Sequence, residues 1–145
     1  METALPDPGI SAEARALLAP EVDDAGWEER QVPQPWRAYG GDWAGSDGEA
    51  VFRRAVEVPA EWAGKDLLLS LGPIDDFDDT FVNGTLVGRT DAKTPAFYAT
   101  PRRYTVPANV ARPGRNLIAV RIFDHFGEGG FTATTPVDLF LAPKE

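Results

Sequence analysis

The 145-residue chain has no cysteine, one histidine and one methionine. Without thiols there is no disulfide, no thiolate nucleophile and no zinc–thiolate site. A single histidine, His125, also removes nearly all transition-metal chemistry, because such sites draw on several imidazole or thiolate ligands. Basic residues are scarce, with 14 Lys and Arg against 23 Asp and Glu and a formal net charge of −9. An acidic chain without a basic stripe repels phosphate backbones, so nucleic acid is not an expected partner. No apolar run approaches the ~18–20 residues of a membrane-spanning helix, and no membrane partner is expected. The opening METALPDPGISAEARALLAPE lacks the basic and apolar blocks of a signal peptide, and localisation stays unassigned.

Catalytic signatures are missing too. A Ser-His-Asp triad would have to use His125, yet Ser11, Ser46 and Ser70 show no nucleophile elbow. Paired carboxylates are the signature of glycoside hydrolysis, but among 23 acids such pairs arise by chance. The chain reads as non-catalytic.

What is present is a core. Hydrophobic residues make up 43% of the chain, and 14 Gly and 13 Pro interrupt it at short intervals. That length and composition suit one domain with a buried interior. Strand-like runs cover residues 51–58, 67–71, 80–88, 116–124 and 137–141. The first puts Phe52, Val56 and Val58 on one face, and the fourth sets Ile118, Val120 and Ile122 against Ala119 and Arg121. Asn83-Gly84 is the pair that best tolerates the positive φ angles of a two-residue hairpin turn. Many short strands between turn signals predict an all-β jelly-roll sandwich. Helix is expected over residues 11–18, with one-turn pieces at 59–62 and 108–112. Residues 1–22 read as an N-terminal arm or linker with a short helix, and 23–143 as the β-sandwich. The arm is what a domain belonging to a larger chain is expected to carry.

The stretch PIDDFDDTFVNGTLVG crowds Asp75, Asp76, Asp78 and Asp79 together before a strand. Carboxylates so close repel one another and resist burial. They form a solvated corner, a cation site or part of a ligand site. No organic cofactor is implied. Calcium, which takes several oxygen ligands, is the one cation this stretch can serve, but the spaced D-x-D-x-D-G loop is missing. Strand alternation also sends neighbouring aspartates to opposite faces.

Aromatics and arginines supply the other polar-apolar surfaces. Trp36, Tyr39 and Trp43 lie in the Gly-rich segment PWRAYGGDWAGSDG, Phe97 and Tyr98 in another loop, and Phe126 and Phe131 flank FGEGGF. A flat aromatic side chain stacks on a sugar ring while charged groups bond its hydroxyls. Trp43 and Tyr98 are candidates for either loop packing or ligand contact; Trp27 and Trp62 are assigned to packing. Arg54, in phase with Phe52 and Val56, points inward by strict alternation or outward through a β-bulge. In PRRYTVP, one of Arg102 and Arg103 is expected to reach the aspartate cluster.

Four phrases, DDAGWEERQVPQPW, VFRRAVEVPAEWAGKDLLLSLGPIDDFDDTFVNGTLVG, PRRYTVPANVARPGRNLIAVRIFD and GEGGF, line up as a set. Over residues of about 23 to 143 the chain resembles the galactose-binding-like jelly-roll domain of bacterial carbohydrate-active enzymes. Sialate O-acetylesterase-type proteins carry such a domain, and the sugar-binding domain of family 2 glycoside hydrolases is similar. In these proteins catalysis belongs to a separate domain. The resemblance therefore implies a non-catalytic carbohydrate-binding or accessory module, with a carbohydrate ligand and a catalytic hydrolase domain of the same parent protein as partners. It also implies sugar-facing groups in the loop before the VNG strand and in the loop after NLIAVRIFD. In this chain those loops hold Asp75 and Asp76, and Asp124, His125 and Glu128. With Trp43, Tyr98 and Arg102 they form the expected ligand-binding set. A structural domain without sugar affinity is the alternative reading.

Overall fold

The computed structural model describes residues 7–39, 48–124, 129–135 and 138–144. Within them the chain forms one α-helix, α1 (Ala12–Leu18), and nine strands. These are β1 (Gln34–Pro35), β2 (Gly48–Val58), β3 (Leu67–Asp75), β4 (Phe77–Val82), β5 (Thr85–Thr90), β6 (Pro101–Val106), β7 (Gly114–Asp124), β8 (Gly130–Phe131) and β9 (Phe140–Pro143). Two antiparallel sheets form a sandwich, as the alternating pattern predicts. One runs β2-β7-β4-β5; the other runs β1-β8-β3-β6, with β9 also paired to β3.

Alternation explains the interior. Ile118, Val120 and Ile122 of β7 and Val82 of β4 face Leu67, Leu69 and Ile74 of β3 and Val106 of β6. Burying each such side chain contributes about 1.5–3 kcal/mol. Trp62 and Tyr39 pack against the edge of this cluster. Asn83-Gly84 makes the two-residue turn between β4 and β5, with φ of 50° and 84° and Val82 opposite Thr85. Both angles lie in the left-handed region that this turn demands.

The segment from Asp7 through α1 is packed, and it covers the outer face of the β2-β7-β4-β5 sheet. Ser11 caps α1, its Oγ accepting from the Ala14 amide at 3.0 Å. Ala14 and Leu18 are buried against β2 and β7. Arg53 donates to the Leu17, Ala19 and Val22 carbonyls and to Asp24, and its guanidinium lies over the Trp27 ring.

Four expectations change in the structure. Arg121, expected on the polar side of β7, is fully buried, because the N-terminal segment roofs that side. Arg54 is exposed, and no bulge turns it: β2 pairs in unbroken register with β7. As an edge strand, β2 lets the in-phase position open to solvent past the rim of the opposing sheet. The last strand begins at Phe140 rather than at 137, and Val137 lies outside the described residues. Residues 108–110 form a turn and 111–112 no regular structure, rather than a helical piece, whereas Ala60–Trp62 is a short 3-10 helix.

Candidate functional site

The aspartate-rich stretch is the point where the chain crosses between sheets. Asp75 ends β3, Asp76 is the single bend residue, and Phe77 begins β4 in the other sheet. The Asp75–Asp76 peptide is cis. From Asp78 onward, strand alternation separates the remaining carboxylates. Asp78 points between the sheets and Asp79 points to the outer face, so the crowding in sequence is relieved in space.

Both of those carboxylates meet arginine. Asp79 pairs with Arg89 and accepts from Arg121 at 3.4 Å. Asp78, fully buried, accepts from Arg102 Nε at 2.7 Å, Thr80 Oγ1 at 2.6 Å and Tyr104 Oη at 2.9 Å. Burial pushes its carboxyl above the usual range, against the opposing pull of Arg102 and the hydroxyls. Burial likewise raises the Tyr104 phenol, reinforced by the Asp78 charge.

Asp75 and Asp76 are brought together with Asp124. One carboxylate oxygen from each lies within 4.8 Å of the others. The backbone enforces this meeting: the Asp76 amide donates to the Phe123 carbonyl at 3.3 Å, which docks the crossover against the C-terminal end of β7. Asp75 Oδ2 accepts from the Gly129 amide at 3.1 Å. Asp75 is half-buried, while Asp76 and Asp124 are buried. Carboxylates at this spacing offer acceptors to adjacent hydroxyls, or oxygen ligands to a hard cation.

Ring packing links an exposed aromatic to this corner. Tyr98 is 56% exposed and stands edge-on to Phe97, with centroids 5.6 Å apart. Phe97 in turn packs on Phe77, the residue after Asp76, at 4.7 Å. The structure places Arg102 beneath this rim rather than on it, 1% exposed, with its guanidinium donating to protein oxygens. Trp36, grouped in sequence with the loop aromatics, is a core residue at 2% exposure. Trp43, His125, Glu128 and Phe126 lie outside the described residues.

Gly129 has a steric role that sequence reading missed. A Cβ on Gly129 would sit 2.3 Å from the Trp36 ring, and φ there is +73°. The Trp36 amide also donates to the Gly129 carbonyl at 3.0 Å. The pairing of a tryptophan with a distant double glycine was the available signal, but spacing alone does not reveal it.

No protein-family model matches the chain, and no curated protein matches it. Solved structures do. The chain is similar to a β-glucuronidase from Bacteroides uniformis, with a TM-score of 0.71 and 20% identity over 97% of this chain and 17% of that one. A glycosyl hydrolase family 2 member from Bacteroides cellulosilyticus DSM 14838 matches with a TM-score of 0.63 and 22% identity, over 78% of this chain and 17% of that one. A Ruminococcus gnavus β-glucuronidase matches with a TM-score of 0.57 and 21% identity, over 66% and 16%. The chain thus spans about a sixth of the length of these proteins. At this identity the likeness establishes a shared sandwich fold.

Proposed function

We propose that this chain is a non-catalytic, sugar-facing module of a multidomain carbohydrate-active hydrolase. The observation that carries the reading is the convergence of Asp75, Asp76 and Asp124, which ring packing through Phe77 and Phe97 links to the exposed Tyr98. Stacking on the tyrosine face and hydrogen bonds to carboxylates are complementary ways of holding a polyhydroxylated ring. The family 2 and β-glucuronidase neighbours support the carbohydrate context, and their much greater length supports a catalytic domain elsewhere in the parent protein. The sequence resemblance to sialate O-acetylesterase-type proteins makes an esterase an equal candidate for that partner.

A second reading, a structural domain without sugar affinity, draws on the burial of Asp76 and Asp124 at 3% and 0% exposure. A glycan array followed by titration calorimetry, with and without calcium, separates the two. Saturable binding supports the module, and dependence on calcium would add the ion to the site. No binding to any glycan in either condition overturns the module and leaves the structural reading.

A further inference from the structure

Arg102 is placed to act as a strut between the two halves of the rim. Its guanidinium makes four hydrogen bonds to three separate parts of the chain. Nε donates to Asp78 on β4 at 2.7 Å. Nη1 donates to the carbonyls of Phe97 and of Thr100, the latter at 2.7 Å. Nη2 donates to the carbonyl of Asp76 at 2.7 Å. The Phe97 carbonyl lies in the peptide joining Phe97 to Tyr98, and the Asp76 carbonyl lies in the bend that carries the carboxylates. One rigid, planar fork therefore ties the aromatic loop and the acidic corner to a common anchor in the core.

That anchor is itself locked. Asp78 is held by Thr80 and Tyr104 as well as by Arg102, and the Tyr104 hydroxyl lies 2.8 Å from Thr90 Oγ1 on β5. Such an arrangement uses arginine for its geometry as well as its charge. A lysine keeps the positive end near Asp78 but has no planar fork to reach two loops at once. Replacing both partners of such a buried ion pair by hydrophobic residues of similar volume often holds a core together as well. The carbonyl contacts satisfy the remaining buried N–H donors of the guanidinium, and they do so by joining two loop segments to one side chain.

We infer that Arg102 is a positioning residue: it fixes the Tyr98 loop against the Asp75–Asp76 corner so that both face a ligand in one arrangement. The inference rests on the sugar-facing reading for its ligand, but the clamp itself is testable without any ligand. Hydrogen exchange would be followed by segment in wild type, Arg102→Lys and Asp78→Asn. The last variant removes the ion pair but leaves the carbonyl contacts of Arg102 in place. Arg102→Lys is expected to speed exchange over residues 97–100 by about tenfold or more while β3 and β7 stay protected. Asp78→Asn is expected to change that loop much less. Equal loosening in both variants, or none in Arg102→Lys, would overturn the inference.

If Arg102→Lys does not fold, the wild-type protein decides. The amides of Ala99 and Thr100, bonded to the Ala96 carbonyl, must then exchange as slowly as the neighbouring strand β6. Free exchange there beside a protected β6 would also overturn the clamp. For a glycan identified on the array, Arg102→Lys is expected to weaken affinity about tenfold, through lost preorganisation. Should wild type bind no glycan, the sugar-facing reading fails and the exchange result still judges the clamp.

Discussion

Arg121 on β7 and Asp7, 114 residues earlier in the chain, form a two-pronged ion pair with both nitrogen–oxygen distances at 2.8 Å. The same guanidinium donates to Glu49 Oε2 at 2.7 Å and to the Gly9 carbonyl at 2.7 Å. Burial opposes its charge, but these bonds outweigh that cost and hold its pKa above the ordinary arginine range. With Arg53, it fastens the N-terminal segment to the outer face of the sheet.

Arg121→Met is accordingly expected to be costly. It leaves Asp7, Glu49 and Asp79 facing one another without their shared cation. Removing one partner from such a buried cluster destabilises by about 3–5 kcal/mol. Urea unfolding followed by fluorescence measures this, and a loss within experimental error would show that the Arg121 cluster contributes nothing to stability.

Acid should weaken the same fastening. For Asp7 and Glu49 burial alone would raise the pKa. The bonds from Arg121 and Gly9 to Asp7, and those from Ser11 and Arg121 to Glu49, override it and set both below their ordinary values of 3.8 and 4.5. Their contribution to stability is therefore complete above about pH 4.5 and is lost as pH falls through the lowered folded-state values. Stability measured from pH 6 down to about pH 2.5 should fall more steeply in wild type than in Arg121→Met. Parallel curves would contradict this.

Gly129→Ala tests the close approach of the second glycine-rich loop to Trp36. The added Cβ meets the indole at 2.3 Å in a left-handed backbone conformation. Combined overpacking and backbone strain are expected to cost about 2–4 kcal/mol. Thermal denaturation and the tryptophan emission of the folded state both report it.

At the rim, stability and binding should separate. Tyr98→Ala removes an exposed ring and is expected to change stability by no more than about 0.5 kcal/mol. The same change should weaken glycan binding by about tenfold, the loss of one stacking face. Asp76→Asn should also weaken binding while leaving the fold intact. Calorimetry and thermal melts on the two variants check these outcomes together.

Much of the sandwich is written locally. Alternation marks Ile118, Val120 and Ile122 as core, Asn83-Gly84 marks the hairpin, and Ser11 ahead of AEARALL marks the helix. The approach of Arg102 to the aspartate cluster, where it pairs with Asp78, also follows from charge. What escaped depends on contacts between distant segments. Arg121 reads as a solvent-facing residue until the segment holding Asp7 is seen to cover it. Arg54 reads as inward, or outward through a bulge, until its strand is known to lie in unbroken register at a sheet edge. Trp36 resembles a loop aromatic until Gly129 is seen to make room for its ring. The convergence of Asp124 with Asp75 and Asp76 was suggested by family resemblance, and the crossover docked on Phe123 supplies its physical cause.

The most direct test of the sugar-facing rim is a nuclear magnetic resonance titration of the amide-labelled chain with glycans retained on the array. The account predicts saturable shifts concentrated at Asp75, Asp76, Tyr98 and Asp124. Shifts confined to other surfaces, or none with any glycan, would contradict it.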